Sequence, residues 1–241
     1  MDDTPSGSPE SHGLKALVVA IDGPSGVGKS TVGKALAARL GVPYLDTGAM
    51  YRAVGLAVKR KGIALPLEDP AAVVAIASGV DVRVTGSAED ARTWLNGEDV
   101  SKEIRTPEIS RYASAVSAVP GVRRRLAGMQ RSLALEGGGV LEGRDIGTKV
   151  VPETPHKFFL TAPPAVRAGR RFAELAAKNS PQTYEQVLAD MEARDHADAT
   201  RAESPLTDDG TYTRLDTAAL SVEEVVERVL SAVRQPVPPA G

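Results

Sequence analysis

The run Gly23-Pro24-Ser25-Gly26-Val27-Gly28-Lys29-Ser30 fits the pattern G-x-x-x-x-G-K-[ST] at every fixed position. Residues of these types at this spacing hold polyphosphate. Glycines let backbone N–H groups wrap the phosphate oxygens, a lysine reaches the β and γ oxygens, and a serine hydroxyl can ligate Mg2+. Gly23, Pro24, Ser25, Gly26, Val27, Gly28, Lys29, Ser30 and Thr31 are therefore the expected ATP-binding residues. Lys29 is the expected catalytic cation, and Ser30 the one protein ligand expected for the metal.

Triphosphate binding alone leaves three reaction classes open: a phosphoryl-transfer kinase, a nucleotide-driven motor or ATPase, and a GTPase-type switch. The sequence has no Asn-Lys-x-Asp guanine reader. Glu142 is the nearest candidate for the acid that activates water in a motor, but it runs into Gly143-Arg144-Asp145. What the chain does supply is arginine. Arg167, Arg170 and Arg171 lie at i, i+3, i+4 on one helical face, where Glu174, four residues after Arg170, could equally make a solvated ion pair. Arg194 and Arg201 are seven residues apart, two turns along one face if the helix continues, and Asp190 is spaced to pair with Arg194. Arg52 follows Tyr51 near the start of a helix whose Thr47-Gly48 beginning could hold an anion. Arg144-Asp145 occupies the turn after a buried strand, where α/β folds place ligands. A guanidinium keeps its charge and offers a planar fork suited to a phosphate monoester. The pattern favours a kinase acting on a phosphorylated acceptor.

These residues need a frame. Ala16 to Ile21 is a short apolar run rich in β-branched residues, as in a buried parallel strand, and Val32, Ala35, Leu36 and Leu40 then recur at helical spacing before Gly41. Strand, glycine loop and helix thus come in the order that points N–H groups at an anion. Val42–Asp46 is a second strand and Ala49–Lys61 a helix ended by Gly62. Asp69-Pro70 opens another helix through about Ser78. The period then changes. Val80–Val84 alternates, and Arg92–Val100 contains Asn96-Gly97, a type I′ hairpin signal, so a small antiparallel module is expected at about 73–115. Thr106-Pro107 caps a helix, and Val122–Leu135 forms the next. Gly139–Glu142 and Lys157–Leu160 return to buried-strand character, Pro164–Lys178 and about Tyr184–Ala199 read as charged helices, and Tyr212–Leu215 is a last strand. Ser221-Val222-Glu223-Glu224 is a capping box, with Leu220 and Val225 as a hydrophobic staple. The sum is an α/β fold, a parallel sheet of about five strands with helices on both faces.

With 241 residues and 42% hydrophobic content, the chain can bury one sizeable core. A formal net charge of −2 gives no field for nucleic acid or an acidic membrane, so phosphate recognition falls to local arginines. Cysteine is absent, and His12, His156 and His196 lack metal-ligand spacing. No apolar run approaches membrane-spanning length and no signal peptide opens the chain, so the expected location is cytoplasmic. Residues 1–13 and 235–241, rich in Pro, Ser and Gly, are expected to be disordered tails around one domain at 14–234.

Ile21-Asp22-Gly23-Pro24-Ser25-Gly26, Leu45-Asp46-Thr47-Gly48-Ala49-Met50-Tyr51-Arg52, Glu103-Ile104-Arg105-Thr106, Glu142-Gly143-Arg144-Asp145-Ile146-Gly147-Thr148 and Arg194-Asp195-x-x-Asp198-x-x-Arg201 together resemble the bacterial cytidylate kinases, from about Leu17 to Val233. The resemblance implies a P-loop NTPase fold with a monophosphate-binding insert and a helical lid at about 164–200. It also implies transfer from ATP, with Mg2+, to CMP or dCMP in pyrimidine nucleotide metabolism, by a monomer. On this resemblance Arg52, Arg144 and Arg201 would hold the acceptor phosphate, Ser114, Arg123 and Asp145 the cytosine edge, and Arg194 and Asp198 the sugar. Thr47, Tyr51 and Arg105 would complete the acceptor site, and Arg167, Arg170 and Arg171 would be catalytic lid arginines. Of these, Arg170 and Arg171 are expected to lie far from the phosphates in the empty enzyme and to swing over the donor when both nucleotides bind. Glu142 departs from the family, standing where many relatives carry Asp. An acceptor such as UMP, or an ATPase or switch, stays open on the residues alone.

Overall fold

At the centre of the molecule runs β1 (Val18–Asp22), whose every residue is buried because strands flank it on both sides and helices cover both faces. The computed structural model describes residues 16–235; the expected tail at 1–13, and that at 235–241 apart from Gln235, lie outside the described residues. After the glycine loop comes α1 (Lys29–Leu40), which ends on Gly41 in the left-handed conformation its sequence position anticipated. Next follow β2 (Tyr44–Asp46) and α2 (Thr47–Arg60), which starts two residues before the predicted Ala49 because the Asp46 carboxylate caps it, accepting from Ala49 N at 2.9 Å. In α3 (Pro70–Gly79), Asp69 supplies the predicted cap.

The chain then leaves the parallel sheet. Strands β3 (Val82–Thr85), β4 (Arg92–Leu95) and β5 (Glu98–Asp99) form a separate antiparallel sheet. Asn96 at φ 51° and Gly97 at φ 83° make the turn the dipeptide signalled. Trp94 lies on β4, its Nε1–H donating across the strand pair to Thr85 Oγ1 at 2.8 Å. Helices α4 (Pro107–Ser117) and α5 (Pro120–Gly137) lead back to β6 (Gly139–Gly143). The backbone of α4 approaches α2 closely at Gly55, where a Cβ would come 3.0 Å from Ala113 N.

A one-turn π-helix, Ile146–Val150, follows β6; the sequence gives no sign of it. Then come β7 (His156–Thr161), α6 (Pro164–Ala176), α7 (Tyr184–Thr200), β8 (Thr213–Asp216) and α8 (Val222–Arg234), whose predicted capping box at Ser221 forms. The parallel sheet has the order β2-β6-β1-β7-β8. Alternation along β1 divides the core: Val19 and Ile21 pack with α1 and α8, whereas Val18 and Ala20 pack with α2, α4 and α5. Leu175, Val187 and Met191 join α6 to α7 in a small core of their own. This order places the carboxyl ends of β1, β2 and β6 side by side, and every predicted site residue on the strand-end loops meets there.

Candidate active site

The phosphate loop bends through three glycines at positive φ: Gly23 (145°), Gly26 (74°) and Gly28 (97°). Gly23 is fixed by space as well as angle, since a Cβ there would stand 2.3 Å from the Leu160 carbonyl oxygen. Gly23→Ala is therefore expected to destabilise the fold by about 1–3 kcal/mol or more, read from urea denaturation. Gly28, the residue before α1, makes no side-chain cap, so the first N–H groups of the helix stay available to an anion. The Lys29 ammonium is buried and donates to the carbonyls of Gly23 (2.8 Å) and Pro24 (2.6 Å). Burial pushes its pKa well down, and the neighbouring Arg144 adds to the effect.

Ser30 Oγ donates to Glu142 Oε1 at 2.6 Å, and the Tyr44 hydroxyl donates to the same oxygen at 2.5 Å. Burial raises the Glu142 pKa, with Asp46 adding to the rise. A serine hydroxyl beside a buried carboxylate is a hard oxygen pair of the kind Mg2+ takes. The longer side chain of Glu142 thus reaches across from β6 to the start of α1. Thr47 sits below it and donates to the Glu142 backbone oxygen at 2.6 Å. Thr31 is exposed on the first turn of α1.

Opposite the loop lies a basin of guanidiniums. Arg52 and Arg105 approach the Asp46 carboxylate at 3.7 and 3.9 Å. Asp198 accepts from Arg144 Nε at 2.8 Å and from Arg201 Nη1 at 3.1 Å. Burial would raise Asp198, but Arg144, Arg194 and Arg201 outweigh it and hold the carboxyl below its ordinary pKa. Arg123 donates to Asp145 at 2.8 Å, both side chains almost fully buried, and its guanidinium lies 5.2 Å from the Tyr51 ring centroid. Tyr51 is itself pushed up to about 12 by burial. Arg201 Nη2 comes within 3.8 Å of the other Asp145 oxygen. Arg194 Nε and Arg201 Nη2 are buried without a hydrogen-bond partner among the described residues, and burial among other arginines pushes Arg194 down to about 10. Unpartnered buried donors and crowded positive charge are what an anionic ligand would satisfy.

Several expectations need correction. Glu174 pairs with Arg171 at 2.9 Å, not with Arg170. Arg170 instead donates to the Thr217 hydroxyl (3.1 Å) and carbonyl (2.5 Å), and Thr217 Oγ1 donates to Val27 O. Arg170 is therefore joined to the phosphate loop through Thr217 rather than standing free of it. Arg167 is buried, donates to Ser25 O at 3.0 Å and pairs with Asp195, which also accepts from Ser25 N at 3.3 Å. One helical face thus splits three ways, because its arginines meet Ser25, Thr217 and Glu174 in turn. Asp190 accepts from Gln182, not from Arg194, which turns inward. Helix α7 stops at Thr200, so Arg201 reaches Asp198 from an extended residue. Ser114 is half-buried and meets Arg123 only through Ser117, whose hydroxyl donates to the Ser114 carbonyl and whose carbonyl accepts from Arg123 Nε. Tyr44, Asp195 and Thr217 were not anticipated. Asp195 stood inside the quoted Arg194–Arg201 motif; Tyr44 and Thr217 carry no local signal.

A sequence model of the cytidylate kinase family, described as "Cytidylate kinase", matches residues 19–235. The chain is 49% identical to the cytidylate kinase of Mycobacterium leprae over 91% of its own length and 96% of that protein. It is 48% identical to the cytidylate kinase of Caldanaerobacter subterraneus, covering 90% and 94%. An uncharacterized Eubacterium ventriosum protein of known structure superposes with TM-score 0.50 at 15% identity, covering 91% of this chain and 98% of that one, a likeness of fold. The phosphate loop and arginine basin are thus set in a sequence that follows its relatives nearly end to end, and the chain belongs to the cytidylate kinase family.

Proposed function

We propose that this protein transfers the γ-phosphoryl group of ATP to CMP or dCMP, giving ADP and CDP or dCDP. The observation that carries the reading is the buried Arg123–Asp145 pair at the end of an arginine basin that faces an uncapped phosphate loop. Cytosine presents a 4-amino donor beside an N3 acceptor, and a carboxylate next to a guanidinium matches both. Ser114 borders this pair through Ser117. Arg52, Arg144 and Arg201 hold the acceptor phosphate, Arg194 and Asp198 the sugar, and Thr47, Tyr51 and Arg105 complete the wall. The segment at about 73–115 acts as the monophosphate-binding module and residues 164–200 as a lid.

An oxygen of the CMP phosphate forms the new bond to the γ-phosphorus, and the bond to the β–γ bridging oxygen breaks, leaving with ADP. The attacking oxygen is already anionic, so no proton must be removed and no general base is needed. The protein's work is placement and charge. Lys29 exchanges two loop carbonyls for phosphate oxygens, and the added negative charge opposes the burial that depresses its pKa. Mg2+ supplies further neutralisation of phosphate charge when bound. Ser30 would hold it, with Glu142 orienting the hydroxyl. We place the enzyme in the cytoplasm as a monomer, a setting consistent with a cysteine-free chain; among the described residues no helix is long and apolar enough to cross a membrane.

Initial rates of ADP release with CMP, dCMP, UMP, AMP or no acceptor test the assignment. Release driven by CMP and dCMP is expected. Equal release without acceptor would mean an ATPase, and equal kcat/KM for UMP a broader pyrimidine kinase. A sharper check is Asp145→Asn, which turns an amide donor toward the base. It is expected to shrink the CMP-over-UMP preference in kcat/KM by about 10–100-fold.

A further inference from the structure

Among the described residues, Asp22 is the most deeply buried acid that the reaction above does not use. It is the last residue of β1, one position before Gly23, where the phosphate loop begins. Lys29 directs its hydrogen bonds to Gly23 and Pro24, so Asp22 is not its hydrogen-bonded counter-ion. Its carboxylate crosses to the end of β6 instead. Oδ1 accepts from Ile146 N at 3.0 Å, while Oδ2 accepts from Gly147 N at 2.9 Å and from the Tyr212 hydroxyl at 2.7 Å.

The two amides are the first N–H groups of the π-turn, which its own helical bonding leaves unsatisfied. The residue placed to cap the second of them, Gly147, is Asp145. An aspartate in that position ordinarily turns its carboxylate onto the N–H groups two and three residues on. Asp145 makes no such bond. Its carboxylate faces the other way, to Arg123 at 2.8 Å and toward Arg201 at 3.8 Å. The arrangement is tightly built: at Gly147 a Cβ would lie 2.8 Å from the Tyr212 hydroxyl, and the Tyr212 ring meets Phe159 edge-on with centroids 5.7 Å apart. Burial pushes the Asp22 pKa up to about 6 even though three donors converge on it. A cap needing only one acceptor would not require a carboxylate here, since an ionised carboxyl is acceptor-only and can take all three donors at once.

We propose that Asp22 is a positioning residue that caps the π-turn in place of Asp145, leaving the Asp145 carboxylate to read the acceptor base and tying that turn to the start of the phosphate loop. The inference rests on the base-reading role proposed for Asp145.

Asp22→Asn tests it, because an amide replaces one oxygen with a donor and leaves an N–H of the turn unpaired. The Asp145 carboxylate is then drawn to the turn and away from Arg123. The expected result is a drop of about tenfold or more in the CMP-to-UMP ratio of kcat/KM, approaching the ratio of Asp145→Asn. ATP affinity, measured by calorimetry without acceptor, stays within about twofold, since the hydrogen bonds of Lys29 go to Gly23 and Pro24 and those of Asp22 come from Ile146, Gly147 and Tyr212. In the Asp22→Asn/Asp145→Asn double variant the two losses of selectivity do not multiply. A selective wild type whose Asp22→Asn variant is equally selective overturns the inference alone, and so does a double variant whose losses multiply. A wild type indifferent to the base overturns the base-reading assignment and the inference with it. If Asp22→Asn does not fold, Asp22→Glu decides: its carboxylate, one methylene longer, cannot meet both turn amides at their present distances, and a selectivity unchanged from wild type overturns the proposal.

Discussion

Replacing Arg171 with alanine is expected to lower kcat by about a thousandfold while CMP binding, measured calorimetrically without ATP, barely changes. Arg167 and Arg170 are held to the phosphate loop through Ser25 and Thr217, so each is already committed. Among the described residues Arg171 is held only by Glu174, an exposed i,i+3 partner whose pairing is worth little in water. Breaking that pair to reach a transferring phosphoryl group therefore costs little, and the guanidinium can arrive when both nucleotides are in place. Its arrival also displaces water that would otherwise hydrolyse ATP. Loss of CMP affinity at normal kcat would place Arg171 in the acceptor site instead, and no change in either would leave it as solvated surface.

Lys29→Ala is expected to cost about 3–4 kcal/mol in the barrier, a 100- to 1,000-fold loss of turnover, with the fold intact. The ammonium is buried where burial works against its charge, and only two backbone carbonyls hold it. Removing it leaves those carbonyls beside the glycine loop but breaks no side-chain ion pair, so the melting temperature should move little. Single-turnover kinetics checks the claim: a variant keeping more than about a tenth of wild-type turnover would contradict a charge-stabilising role of the size such groups carry.

What the sequence makes legible follows from the range of the interactions. The phosphate loop, the caps at Asp69, Thr106 and Ser221, and the Asn96-Gly97 turn depend on neighbours a few residues away, and all formed as read. Arg123 and Asp145 were named through resemblance, and the structure brings them into contact. Periodicity went astray where helices meet other elements. It put Arg167, Arg170 and Arg171 on one face, but the partners that separate them, Ser25, Thr217 and Glu174, come from three different places in the chain. It paired Arg194 with Asp190 at the spacing of an isolated helix, whereas burial of α7 turned the arginine toward Asp198 and Arg144. Tyr44 reaches Glu142 only because β2 and β6 are adjacent in the sheet, and strand order is not written in any local stretch. The π-turn was illegible for the same reason: an aspartate from β1 holds it open.

Trp94 is the only tryptophan in the chain, and it sits on β4, away from every nucleotide contact proposed above. That strand packs on α2, whose other residues include Thr47, Tyr51 and Arg52, and α4 is pressed against the same helix at Gly55. Leu95 of that strand packs into the core that α2 lines, which anchors the antiparallel sheet to the helix. Trp94 points to the opposite, more exposed face of the strand, where its indole N–H is tethered to Thr85. Tryptophan emission from this protein therefore reports, without a label, on the outer face of the antiparallel sheet and on its Thr85 tether.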